Sequence, residues 1–224
     1  MELRERSGEA LPCTALADAP CDDCALQVRL NCRFRRRDLI FFAVLFLPPA
    51  VALGAGLVRA GFWWMNLVWL GYMLFFFTVW EGRVLCSHCP YWAEPSGTLH
   101  CIANYGVPKV WRYRPGPMSL GEKIQFGIGA ILILVLPYPF LLIRGQVLLS
   151  ALGMLGSGTF VLGLRLHVCT SCVNFSCPMN AVPRPIVDAY LRRNPVMRSA
   201  WEARGHELAP ASPGEGRGAG TSTE

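Results

Sequence analysis

The chain has 224 residues, of which 53% are hydrophobic and only 16% are charged, and its mean hydropathy is positive at +0.34. This balance excludes an ordinary soluble domain and indicates a protein of the lipid bilayer. The formal net charge is +6, and the ten cysteines fall into three groups that lie outside the apolar runs.

The N-terminal segment, residues 1–38, is polar and rich in cysteine. It lacks the apolar core of a signal peptide, so we expect no cleavage there. Four cysteines follow the spacing C-x7-C-x2-C-x7-C, and so many thiols in a short stretch suit a self-contained metal site, either a cluster or a zinc knuckle. These candidate metal ligands are Cys13, Cys21, Cys24 and Cys32.

Four apolar runs without a single Asp, Glu, Lys or Arg follow this segment. A hydrocarbon core about 30 Å thick needs roughly 20 such residues in a helix, so each run predicts a transmembrane helix. The connections within the first pair and within the second pair are very short, which predicts two helical hairpins at residues 39–80 and 124–164. The four predicted spans are Leu39–Val58, Phe62–Trp80, Ile124–Ile143 and Val147–Leu164.

Basic residues are distributed unequally between the two sides of the predicted bundle. Arginines and lysines cluster before the first span, in the loop 81–123 and after the fourth span, whereas the opposite side carries only Arg59 and Arg144. The positive-inside rule then places both termini and the central loop in the cytoplasm. We therefore predict an integral protein of a bacterial or archaeal inner membrane, with every cysteine group on the cytoplasmic side.

The two hairpins resemble each other. Proline pairs occur in the first and third spans, at 48–49 and at 137 and 139, and should bend these helices. The second and fourth spans each lead into C-x-x-C, at Cys86 and at Cys169. A duplicated hairpin in parallel orientation would bring the two motifs side by side at one membrane face.

Cysteines that face the reducing cytosol bind metal or react more often than they form structural disulfides. Two C-x-x-C pairs supply the four sulfurs that tetrahedral zinc or an iron–sulfur cluster requires. Cys-Pro occurs twice, at 89–90 and 177–178, and this ending is typical of ferredoxin motifs, so an iron–sulfur cluster is favoured over zinc. The predicted metal ligands are Cys86, Cys89, Cys169 and Cys172, and Cys101 and Cys177 complete a cofactor-binding set of six.

The topology, together with "CSHCP" and "CTSCVNFSCP", resembles the polytopic membrane iron–sulfur proteins of the NapH and NosR type over residues 39–178. The resemblance implies a four-iron cluster beside the membrane and electron transfer between the quinone pool and a redox partner. The chain departs from that family in having two residues rather than three between Cys86 and Cys89, and in lacking an appended ferredoxin domain.

We therefore predict an all-α integral membrane protein that transfers electrons through an iron–sulfur cluster to or from a cytoplasmic redox protein or a quinone. A zinc-stabilised membrane scaffold or assembly factor is the alternative. A thiol oxidoreductase is a third reading, because C-x-x-C is also a redox motif. No catalytic residue and no nucleic-acid partner are indicated. The cytoplasmic segment 165–200 combines the last cysteine motif with basic residues, and residues 201–224 are predicted to be a disordered tail.

Overall fold

The computed structural model describes residues 11–16, 19, 21 and 24–210, and this part of the chain is helical without any strand. Four of its helical segments are long and apolar enough to cross a membrane, as the four apolar runs predicted. These segments are Arg36–Arg59, Trp63–His88, Leu120–Ile143 and Val147–Val168.

Within these segments the regular helices are interrupted at defined places. A π-helical turn at Phe76–Trp80 extends α2 into the short α3, and another at Leu164–Val168 extends α6. The first proline pair lies inside an unbroken helix, whereas Pro137 separates α4 from α5, because proline removes a backbone donor and clashes with the preceding turn. The helices are α1 (Arg36–Arg59), α2 (Trp63–Phe75), α3 (Glu81–Val84), α4 (Leu120–Val135), α5 (Tyr138–Ile143), α6 (Val147–Gly163), α7 (Arg184–Arg193) and α8 (Pro195–Glu202).

Glycines join the two hairpins. A Cβ added at Gly156 would lie 2.9 Å from Pro49, and one added at Gly163 would lie 2.7 Å from Leu45, so α6 and α1 approach closely along their length. The order of these contacts makes the two helices antiparallel. These small residues of α6 thus let it approach a neighbouring helix closely.

A second layer covers the end of the bundle that carries the cysteine motifs. The N-terminal segment, the loop between α3 and α4, and the C-terminal helices share one apolar core, in which Leu30, Tyr190 and Met197 are almost completely buried. A capping box of Ser119 and Glu122 begins α4.

The chain remains packed beyond residue 201, where the sequence predicted that the tail begins. Trp201 is buried, and Asp188 accepts hydrogen bonds from the backbone N–H of Ala209 at 3.1 Å and binds His206 at 2.8 Å. The remainder of the predicted tail, residues 211–224, lies outside the described residues, as do residues 1–10.

Candidate metal centre

A π-helical turn precedes each C-x-x-C motif, directly before Cys169 and one short helix before Cys86. The chain continues from α3 into a 3-10 turn at Cys86–His88, and the turn at Leu164–Val168 leads directly to Cys169. π-helical turns inside long helices occur frequently at functional sites, because the extra residue turns the following side chains toward a new direction. Both hairpins therefore present their motifs in a similar local setting.

All six membrane-proximal cysteines line a single cavity of about 220 Å³. The first hairpin and the loop that follows it supply three of the thiols, and the segment after α6 supplies the other three. The lining thiols belong to Cys86, Cys89, Cys101, Cys169, Cys172 and Cys177. The structure thus brings together the complete set that the sequence predicted to bind a cofactor.

These thiols are held away from water. Burial raises the pKa of Cys89 well above its ordinary value, and the neighbouring thiols of Cys101 and Cys172 raise it further. Burial also raises the pKa of Cys177 to about 12. A buried thiol keeps its proton unless a cation compensates the thiolate, so this cluster is neutral on its own and suited to exchange protons for a metal.

Unpaired oxygen atoms lie in the same cavity wall. The side chains of Asp38, Glu81, Asn104 and Asn174 each line the cavity and each carry one buried oxygen without a hydrogen-bond partner among the described residues. Buried acceptors in folded proteins are nearly always paired with a donor, an ion or water. Their concentration here makes the cavity suited to a group with cationic or hydrogen-bond-donating character.

The other polar atoms of this wall hold it in place. The amide nitrogen of Asn104 donates to the sulfur of Cys86 at 3.3 Å, and that of Asn174 donates to the carbonyl of Leu85 at 3.3 Å. Hydrogen bonds to a ligating sulfur orient it and tune the properties of a bound metal. Asn104 is therefore suited to position a thiolate ligand.

The cavity continues from the thiols into the helical bundle. Its wall there is aromatic and comes from four helical segments, with Phe42 and Phe46 on α1, Phe77 in the π-helical turn after α2, Phe126 on α4, and Phe160 on α6. An occupant could thus contact thiols and oxygen atoms at one end and apolar rings at the other.

The N-terminal cysteines do not line this cavity and form a second group. Burial, and then the thiols of Cys13, Cys24 and Cys21 in that order, raise the pKa of Cys32 to about 12. The structure thus brings the four N-terminal thiols within electrostatic reach of one another.

The histidines near these motifs have other partners and do not line the cavity. His88 binds the carbonyl of Gly116 at 2.6 Å through Nδ1, and His100 binds Glu94 at 3.1 Å. The ring of His167 packs edge-on against Phe41.

Among the described residues, no three His, Cys, Asp or Glu side chains stand in a position to hold one metal ion together. Metal binding at either thiol group would therefore require its side chains to close on the metal, and such coupling of ligand ordering to binding is usual for thiolate sites. Comparison with protein-family models, curated proteins and solved structures finds no match.

The four cavity residues with an unpaired oxygen were not anticipated from the sequence, and they are Asp38, Glu81, Asn104 and Asn174. Glu81 directly follows the predicted second span, and a carboxylate at that position is itself a signal of function, because ionisable groups at the ends of apolar helices are rare when they face inward. Asn104 and Asn174 have no comparable signal, since a single asparagine in a loop follows no recognisable pattern.

Proposed function

We propose that this protein is a membrane-bound electron carrier whose six membrane-proximal cysteines hold an iron–sulfur cluster. The observation that carries the proposal is the single cavity lined by all six thiols at the end of a bundle of membrane-length helices. When bound, such a cluster supplies one-electron redox chemistry, with thiolates as its ligands.

The size of the cavity supports a cluster over one zinc ion. Zinc holds its thiolates at about 2.3 Å, so four sulfurs around one ion enclose little free space. The cavity of about 220 Å³, which the six thiols line at one end, offers room for several atoms of a polynuclear group. A zinc-stabilised scaffold remains the competing function, and metal analysis decides between the two.

The residues of this chain would tune and protect the centre. Asn104 donates to the Cys86 sulfur at 3.3 Å, and hydrogen bonds to sulfur raise the reduction potential of such sites. The buried side chains of Tyr91 and Leu99 also line the cavity and exclude water from the thiols. The aromatic wall supports a quinone as electron donor or acceptor, and a cytoplasmic redox protein is the other candidate partner.

The test is the colour and composition of protein purified without oxygen. We expect a brown protein that contains iron and acid-labile sulfide and whose visible absorption bleaches with dithionite. A colourless protein that contains stoichiometric zinc and no sulfide would refute electron transfer, because zinc has no redox chemistry.

The variants Cys86→Ser and Cys169→Ser test whether the two hairpins share one centre. Each should lose most of the iron, because a site short of one thiolate keeps neither its geometry nor its charge balance. Thr170→Ala is the matched control, since Thr170 lies between the cysteines of the second motif and its hydroxyl donates to the carbonyl of Leu166 at 3.3 Å. If either cysteine variant retains full iron, the shared centre is wrong.

A further inference from the structure

The four N-terminal cysteines lie outside the cavity and within electrostatic reach of one another. The backbone N–H of Cys24 donates to the carbonyl of Cys21 at 3.0 Å, which holds these two cysteines close together. Cys13 is anchored by its N–H to the side chain of Asn194 at 2.6 Å. We propose that Cys13, Cys21, Cys24 and Cys32 bind a second thiophilic metal centre, and that this centre fastens the N-terminal segment over the cavity.

Two arginines provide the charge that such a centre needs. The guanidinium of Arg33 donates to the sulfur of Cys21 at 3.9 Å, and that of Arg193 donates to the sulfur of Cys24 at 3.4 Å. Cations beside a thiol favour its thiolate form, which is the form that binds metal. Four thiolates around a divalent metal leave a net charge of about −2, and the two arginines offset it.

The segment that follows the last of these cysteines is itself part of the cavity wall. Asn31, Arg33, Phe34 and Arg35 line the cavity. Asn31 donates two hydrogen bonds to Ser171. Its backbone N–H donates to the Ser171 carbonyl at 2.8 Å, and its side-chain amide donates to the Ser171 hydroxyl at 2.9 Å. A metal that holds Cys32 therefore also holds these wall residues against the second cysteine motif.

The N-terminal end of the group is fastened to a different element. Beside the bond between Cys13 and Asn194, the hydroxyls of Thr14 and Tyr190 lie 3.2 Å apart, and both residues of that pair are buried. Cys13 thus contacts the C-terminal end of α7, whereas Cys32 lies next to the cavity wall. A metal bound by all four thiols would link the C-terminal helices to the cavity wall and restrain the segment between them.

The two thiol groups are distinct sites with a shared boundary. Tyr91 lies between them, because its hydroxyl donates to the carbonyl of Asn31, and its pKa is raised first by burial and then by thiols of both groups, Cys89 and Cys32 among them. The second site needs no residue of the first, so its metal should persist when the cavity centre is lost. Its effect on the cavity rests on the proposed function, since that effect is read from the cavity iron.

The experiment compares zinc and iron per chain in full-length protein and in Cys32→Ser, Cys86→Ser and the double variant, all purified without oxygen. We expect Cys32→Ser to lose the N-terminal metal and Cys86→Ser to lose the cavity iron. The double variant should lose both. Cys24→Ser, at a partly exposed thiol, repeats the test if Cys32→Ser fails to fold. Unchanged metal content in a folded Cys32→Ser or Cys24→Ser protein would overturn the second site.

The second readout is the rate at which a ferrous chelator removes iron from the cavity. Loss of the N-terminal metal should accelerate this removal several-fold, because the wall residues after Cys32 are no longer held. An unchanged rate would overturn the role in fastening the segment. If Cys86→Ser keeps all its metal while Cys32→Ser loses its share, the cavity cluster is refuted and the second site stands.

Discussion

Gly129 of α4 permits the close contact between the two hairpins, and replacing it with alanine should separate them. A Cβ at this position would lie 2.7 Å from Cδ2 of Phe76, closer than real side chains approach, and Phe76 is only 2% exposed. A rigid buried ring cannot yield as a flexible chain end can, and overpacking of this kind costs about 1–3 kcal/mol. Each 1.4 kcal/mol corresponds to roughly tenfold in the folding equilibrium.

Gly127→Ala is the matched control, because Gly127 lies on the same helix and nothing stands within 4 Å of an added Cβ there. Replacing a helical glycine with alanine gains about 0.5–1 kcal/mol of helix propensity, and the control measures that gain directly. The assay is the free energy of unfolding in mixed micelles. The combination of Gly129→Ala with Phe76→Leu should recover much of the loss. Equal stability of the two alanine variants would refute the reasoning.

Two further predictions concern topology and proton release. Reporter fusions after Leu99 and after Arg204 should behave as cytoplasmic, and one after Arg144 should behave as exported. An exported reporter at Leu99 would show that the protein has the opposite orientation. Metal binding to the metal-free protein should release protons, and the metal affinity should increase between about pH 7 and 9. The reason is that thiols such as Cys177, with a pKa raised to about 12, must lose a proton to bind the metal. The same shift stabilises the metal-free fold below the ordinary thiol pKa of 9.0 and removes that stability as the pH rises toward about 12. Uptake that is independent of pH, measured by titration calorimetry in two buffers, would contradict this.

Much of the bundle could be predicted from the sequence, because the length of an apolar run is set by the thickness of a bilayer. The observed spans begin within a few residues of the predicted ones. The second span is longer than predicted and reaches His88, since Glu81 and Arg83 continue the helix although they are charged. No comparable sequence signal predicts α7, which is short and polar and is ordered by its contacts within the covering layer rather than by an apolar run.

The grouping of the cysteines was predictable for a different reason. Two similar hairpins in parallel orientation bring equivalent positions to one face, so Cys86 and Cys169 were expected to meet, and both line the cavity. The oxygen atoms of Asn104 and Asn174 were not predictable, because their placement depends on loop conformations that no periodic pattern encodes. The cavity itself arises only when four helical segments and the covering layer pack together.

The cavity divides almost evenly between the two halves of the chain. Each half contributes three thiols and one asparagine with an unpaired oxygen, whereas the two carboxylates with an unpaired oxygen, Asp38 and Glu81, come from the first half alone. Neither half alone supplies to the cavity the four sulfurs that a cluster or a zinc ion requires, so the proposed cavity centre would form only while the hairpins are packed. The free energy of that packing would then contribute to its metal affinity. For this reason Gly129→Ala should weaken metal binding as well as the fold, although Gly129 does not line the cavity.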